Sequence, residues 1–464
     1  KVAQFPTGQG TSGQALVTNG AGVLSFSDVG VTSDAAENTV AGTGAGDGFS
    51  GTDPVSNTLY GYFAGKQVST GDRNTLIGHR AGDNITTGDN NTAVGEAALT
   101  DVSTTSNNTA VGRNALQDCV STNNTAVGYS SGYAVNTGTR NTSMGYQSFA
   151  TNTTGSYNTA IGADALESNT TASDNTAVGY NCFTANTTGT SNTGIGNNAA
   201  DANTTGSHNT AIGRNALGAN TTASNNTAVG SSALLVNTTG TNNVAVGAYV
   251  LDANTTGNSN TGLGTAALSA NTTGIDLIAI GHSALATNST ANNNVAIGKD
   301  ALNQNTTGHS NVAVGKQTLR INTTADNNTA LGSFTLYDNT TGASNTAVGR
   351  SALENNTTAD NNTAVGMDAL KENTTGANNT AVGEKSLYLN TTGFENTAMG
   401  ADASRQCTTG KQNVAIGYSA LHNLTIGKEN VCVGQNAGYS HTEGDENVCV
   451  GQSAGYNITT GHYN

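Results

Sequence analysis

Histidine, cysteine and paired carboxylates are the side chains that bind metals or carry nucleophilic and acid–base chemistry. Here none of them recurs at a useful spacing. The seven histidines, His79, His208, His282, His309, His422, His441 and His462, form no HExxH and no close pair, so they read as isolated solvated residues. The acidic residues do not repeat at the interval of calcium-binding β-rolls, the Gly-rich stretches contain no GxxxxGKS/T, and no Ser/His/Asp set stands out. The five cysteines are too few and too scattered for a disulfide framework. Cys432 and Cys449, one repeat apart, are the candidate disulfide; small side chains standing in for Ala are the simpler account of both. No catalytic residue, metal or cofactor is expected, and the chain does not read as an enzyme.

What recurs is asparagine. Asn-Thr-Ala-(Val/Ile)-Gly or a close variant begins at Asn57, Asn74, Asn91 and Asn108, slips by one residue to Asn124, and returns every 17 residues to Asn447. That makes 24 units, with Leu277 the single start that is not Asn. Helical repeats run to roughly 33 residues or more, and Asn, Thr and Gly are poor residues for a helix interior. A unit such as Asn158 to Asp174 holds two short β-like runs, Gly corners and polar turns, enough for one coil. The expected fold is therefore all-β, a parallel β-solenoid (β-roll) of about 24 coils over residues 57–464. Rungs about 4.8 Å apart would make a rod on the order of 115 Å long. The slip near Cys119 must fall in a turn, since a slip inside a strand would exchange its faces.

Columns of the repeat, compared within the chain, predict which way each position faces. The second position (Thr58, Thr75, Val244, Val312) and the fourth (Val94, Ile161, Val348, Met399) are β-branched or aliphatic and read as inward. The small third position, Ala93, Ala160, Ala228 and Ala330 among others, then reads as outward, a surface for contacts with other chains. The most regular column is Asn152, Asn169, Asn186, Asn203, Asn220, Asn237, Asn254, Asn271, Asn288, Asn305, Asn322, Asn339, Asn356, Asn373 and Asn390. Towards the ends it becomes Val68, Ile85, Cys119, Cys407, Leu424 and His441. A position that accepts Val, Ile, Leu and Cys is interior, with His441 the one residue against it, so the Asn run reads as a ladder of stacked amides, each offering donor and acceptor to the next coil. Most of these Asn stand in Asn-x-Thr, the N-glycosylation pattern, yet an interior amide cannot carry a sugar. Asn107 and Asn123, at the repeat junction, are the better candidate acceptors.

Composition narrows the partners. Lys plus Arg number 16 against 31 Asp plus Glu, a net charge of -15, which lacks the basic stripe of a nucleic-acid or anionic-membrane binder. No apolar run approaches the roughly 20 residues of a membrane span, so neither nucleic acid nor membrane insertion is expected. Three apolar side chains per coil make a thin core. Association of copies through the small column would bury more, which predicts an oligomer, a trimer by preference, or an end-to-end filament.

Two alternating runs flank Asn19-Gly20-Ala21-Gly22, a hairpin signal, so residues 1–33 are expected to be a β-hairpin segment and 34–56 a Gly/Ser/Thr-rich linker or cap. Nothing up to Asn464 reads as a closing cap, so further chain is expected beyond it. The string Asn-(Thr/Val)-Ala-(Val/Ile)-Gly-x-x-Ala, as at Asn294 to Ala301 and Asn413 to Ala420, resembles the head repeats of the YadA-like trimeric autotransporter adhesins. The Asn-Thr-Thr-Gly repeats and the N-terminal hairpin also look like those of bacteriophage tail fibres. The resemblance implies a left-handed β-roll of three chains side by side, binding molecules on a host surface. The expected function is a structural and adhesive fibre shaft, extracellular, on a virion appendage or cell surface, projecting a tip towards a host receptor or glycan. The alternatives are a homopolymeric extracellular filament and an ice-binding solenoid. Inward-facing Thr of the second column count against the last.

Overall fold

The computed structural model describes residues 36–50 and 53–463, together with the backbone of the strands Gln14–Thr18, Leu24–Asp28 and Val31–Ser33. The fold is an all-β parallel solenoid with one coil per 17-residue repeat, about 24 coils, and no helix among the described residues. Each coil enters a three-residue strand whose first and third residues are mostly β-branched, the residues best suited to a pleated surface. Gly at the fifth position ends it, with φ between +118° and +143° in the repeats. An added Cβ at Gly366 would stand 2.5 Å from the carbonyl oxygen of Gly383 in the next coil. Conformation and close stacking together therefore demand Gly there.

The chain divides into two compact units, residues 1–222 and 223–464. The first carries ten repeat coils, from the strand Thr58–Tyr60 to Thr210–Ile212, and the second fourteen, from Thr227–Val229 to Val448–Val450. Within each unit strands pair in parallel and in register, as in Thr159 with Thr176 and Ala160 with Ala177. The short step near Cys119 leaves the faces unchanged, since Thr109 pairs with Thr125 and Ala110 with Ala126. In the first unit an extra strand, Thr39–Ala41, pairs in parallel with Thr58–Tyr60 and on its other edge antiparallel with Val31–Ser33. Residues 38–56, in the stretch expected as linker or cap, thus hold a strand of the ladder. Gln14–Thr18 and Leu24–Asp28 pair antiparallel; the turn between them lies outside the described residues.

Two expectations fail in instructive ways. The second β-like run of each coil is a turn: Leu166, Leu217 and Leu353 sit at φ of +51°, +54° and +53°, left-handed values that no strand residue adopts. It is nevertheless bonded coil to coil, as in Leu353 N–H to Ala369 O at 3.0 Å. The facing of the strand is also reversed. Ala93, Ala160, Ala228 and Ala330 are fully buried, whereas the second and fourth positions lie half-buried or exposed, with Ile195 at 43% and Leu331 at 47%. The small column is the core, so these alanines are not chain contacts. A slim coil brings the strand close to the opposite Leu turn, and only a small side chain fits between.

Candidate functional site

Amides hold the coils closed. All fifteen of Asn152 to Asn390 in the predicted column are fully buried. In the first unit Asn169 Nδ2 donates to Asn152 Oδ1 at 2.9 Å and Asn186 Nδ2 to Asn169 Oδ1 at 3.0 Å. In the second, Asn271 Nδ2 donates to Asn254 Oδ1 at 2.9 Å and Asn288 Nδ2 to Asn271 Oδ1 at 3.0 Å. The run ends where Cys407 replaces the next amide, and there Asn390 Oδ1 has no partner. Buried in this way, the Asn-x-Thr sequons of the column cannot carry glycans. Asn107 and Asn123 are exposed, at φ of +61° and +63°.

A second ladder went unread in the sequence. The Asn that opens each repeat is also buried, and its Oδ1 accepts the backbone N–H of the next opener, as in Asn243 N–H to Asn226 Oδ1 at 3.0 Å. Its Nδ2 reaches the carbonyl at the fifteenth position of its own coil, drawing the coil's end to its start. The ladder amide converges on the same atom: Gly257 O accepts Asn243 Nδ2 at 2.9 Å and Asn254 Nδ2 at 3.1 Å. The signal was the near-invariance of the opening Asn, taken as a marker of period rather than as an interior group. Asn38 begins this ladder in the first unit, its Oδ1 accepting from Asn57 N–H at 2.9 Å.

The two facing interior columns fill one space between them. Where the Leu turn becomes Gly65 or Gly82, the strand carries Leu59 or Leu76, each with a methyl carbon 2.8 Å from where a Cβ would be. Where the strand becomes Gly194, Phe183 fills the gap, and an added Cβ would lie 2.6 Å from its ring. Cys432 and Cys449 replace Ala opposite Gly438 and Gly455, are buried, and face one another across the ladder as free thiols. Burial pushes the Cys432 thiol up, with Cys449 adding to the shift, and pushes those of Cys182 and Cys407 up to about 12. His441 is fully buried in the ladder column with neither ring nitrogen hydrogen-bonded, and desolvation lowers its pKa. Among the described residues no group of three His, Cys, Asp or Glu is arranged to hold a metal ion.

Outside, the strands present a flat face in each unit. In the first, ten successive coils carry Thr at the second position. In the second unit that position holds Thr, Val or Ile throughout. Beside it runs the aliphatic fourth column, including Ile161, Ile195, Leu263, Leu331, Val382 and Met399, all more than a third exposed. No family model, curated protein or solved structure matches the chain.

Proposed function

We propose that this protein is a structural fibre shaft, extracellular, which holds a recognition region away from a virion or cell surface. The observation that carries this reading is the repetition of one coil, opened by a buried amide in every repeat but one and joined by a second buried amide in fifteen successive coils. A spacer requires stiffness along its length, and buried amides hydrogen-bonded from coil to coil contribute it. No catalytic role is proposed.

The shaft associates with copies of itself through the outward Thr/Val and Val/Ile columns, in place of the alanine column first expected to do so. Monomeric proteins rarely expose apolar patches beyond a few hundred Å². In the second unit eight of the fourteen fourth-position side chains are more than a third exposed and the other six are half-buried, which sums to on the order of 800 Å², what each partner gives to a standard interface. Three copies, as the resemblance to trimeric adhesins implies, would enclose these faces about a common axis. Light scattering of the chain in native buffer, paired with negative-stain images, tests this. A mass of three chains in discrete rods of about 115 Å is expected; a monomer sinks the association, and long fibres favour the filament.

One observation favours a second reading. The Thr column points outward, so the objection to an ice-binding face drawn from the sequence no longer stands. A thermal-hysteresis measurement decides it, and the shaft reading expects no signal.

A further inference from the structure

The array is monotonous, so a site shows itself as a local departure, and one lies in the first two repeat coils. Tyr62 and His79 occupy one exposed column and stack at 5.4 Å with their planes 5° apart. Phe63 and Arg80, next in the chain, sit at φ of +56° and +58°, a left-handed corner where the other repeats often place Asn, Asp or Ser and where a bulky side chain is disfavoured. Together with Lys66 and Asp83 they line a pocket of about 360 Å³, a volume within the range of small-ligand sites.

The pocket's chemistry is specific. Lys66 Nζ lies 4.2 Å from the centroid of the Phe63 ring and forms no ion pair among the described residues. Arg80 Nε is held 2.8 Å from Asp83 Oδ2, which fixes the guanidinium while leaving its two terminal nitrogens without a partner among the described residues. Two cations and one carboxylate line the pocket, and Asp101 of the next coil also acts on Arg80. Unpaired donors call for an acceptor-rich, anionic ligand, and the aromatic wall calls for one that also carries an apolar face. A carboxylated sugar ring has both.

We propose that this pocket binds an acidic saccharide, its carboxylate between Lys66 and the terminal nitrogens of Arg80 and its ring against the Tyr62–His79 stack. The inference rests on the reading above, in which the fibre serves recognition at a surface, and supplies a ligand class for it. Calorimetric titration of the full chain with trigalacturonate and with sialyllactose tests it, with lactose as the neutral control and sodium sulfate as the simple anion. Saturable binding of at least one acidic sugar is expected, absent for lactose and weakened roughly tenfold or more by Lys66→Met and by Tyr62→Ala. Both side chains lie outside the core, so the variants should fold, which circular dichroism checks. No binding of either acidic sugar, equal binding by both variants, or displacement by sulfate at matched concentration overturns the proposal. Light scattering on the same samples keeps the two readings apart: trimers that bind no sugar lose the pocket alone, and monomers that bind it lose the shaft alone.

Discussion

A single amide in the ladder does three jobs at once, and its loss is felt by its neighbours. Asn271 donates to Asn254 Oδ1 and to Gly274 O, and accepts from Asn288 Nδ2. Truncation in Asn271→Ala leaves buried groups on both sides unpaired, so a destabilisation of about 2 to 4 kcal/mol is expected, measured by urea unfolding. His441 acts through its charge. Its pKa is lowered in the folded chain by desolvation, so the stability it allows is full above the ordinary imidazole range of about 6.5 and is lost as pH falls through the lower folded value. His441→Leu, which matches Leu424 in the same column, should therefore protect the last coils against acid. Hydrogen exchange of residues 430–460 at about pH 5 and about pH 8 checks this, and equal acid sensitivity in the two proteins would count against it. The raised thiols of Cys182 and Cys407 should resist alkylation in the native chain and react once it is unfolded.

At the level of the coil, what matters is the summed volume of two facing columns rather than the identity of either residue. An added Cβ at Gly262 would collide with Val250 Cγ1, although Ala fills that strand position in most other coils. Gly262→Ala should thus destabilise the protein by about 1 to 3 kcal/mol through overpacking, and Val250→Ala should do so through a cavity. The double variant restores the Ala-and-Ala arrangement of the next pair of coils, Ala279 with Ala267, and thermal unfolding should return it close to wild type. Additive losses would mean that the two residues do not share one space. The signal was present in the sequence, where Leu59 accompanies Gly65, Leu76 accompanies Gly82 and Cys432 accompanies Gly438. Each column read by itself conceals it.

For the whole molecule the question is which surface meets other copies. Charges placed in the fourth column, as in Ile161→Lys with Ile195→Lys, should lower the mass in solution while leaving circular dichroism unchanged. Ala160→Leu should unfold coils without first separating chains, because that residue is interior. The opposite pattern, dissociation by the alanine variant and indifference to the lysines, would return the contact to the small column.

Much of this protein was legible without coordinates, because repetition makes a chain its own comparison. The period determined the coil, the poor helix residues determined the strand, and an Asn column that gives way to Val, Ile and Leu at its ends determined the internal ladder. Alternation along Thr159, Ala160 and Ile161 separates two faces and does not say which is inside. Ordinary hydrophobicity assigns the interior to the larger residues. Only the tertiary structure decided otherwise, because the interior side is set by the separation of the strand from the Leu turn opposite. In so slim a coil, that separation admits Ala beside Leu, or Leu beside Gly, and turns Thr and Ile out to the surface.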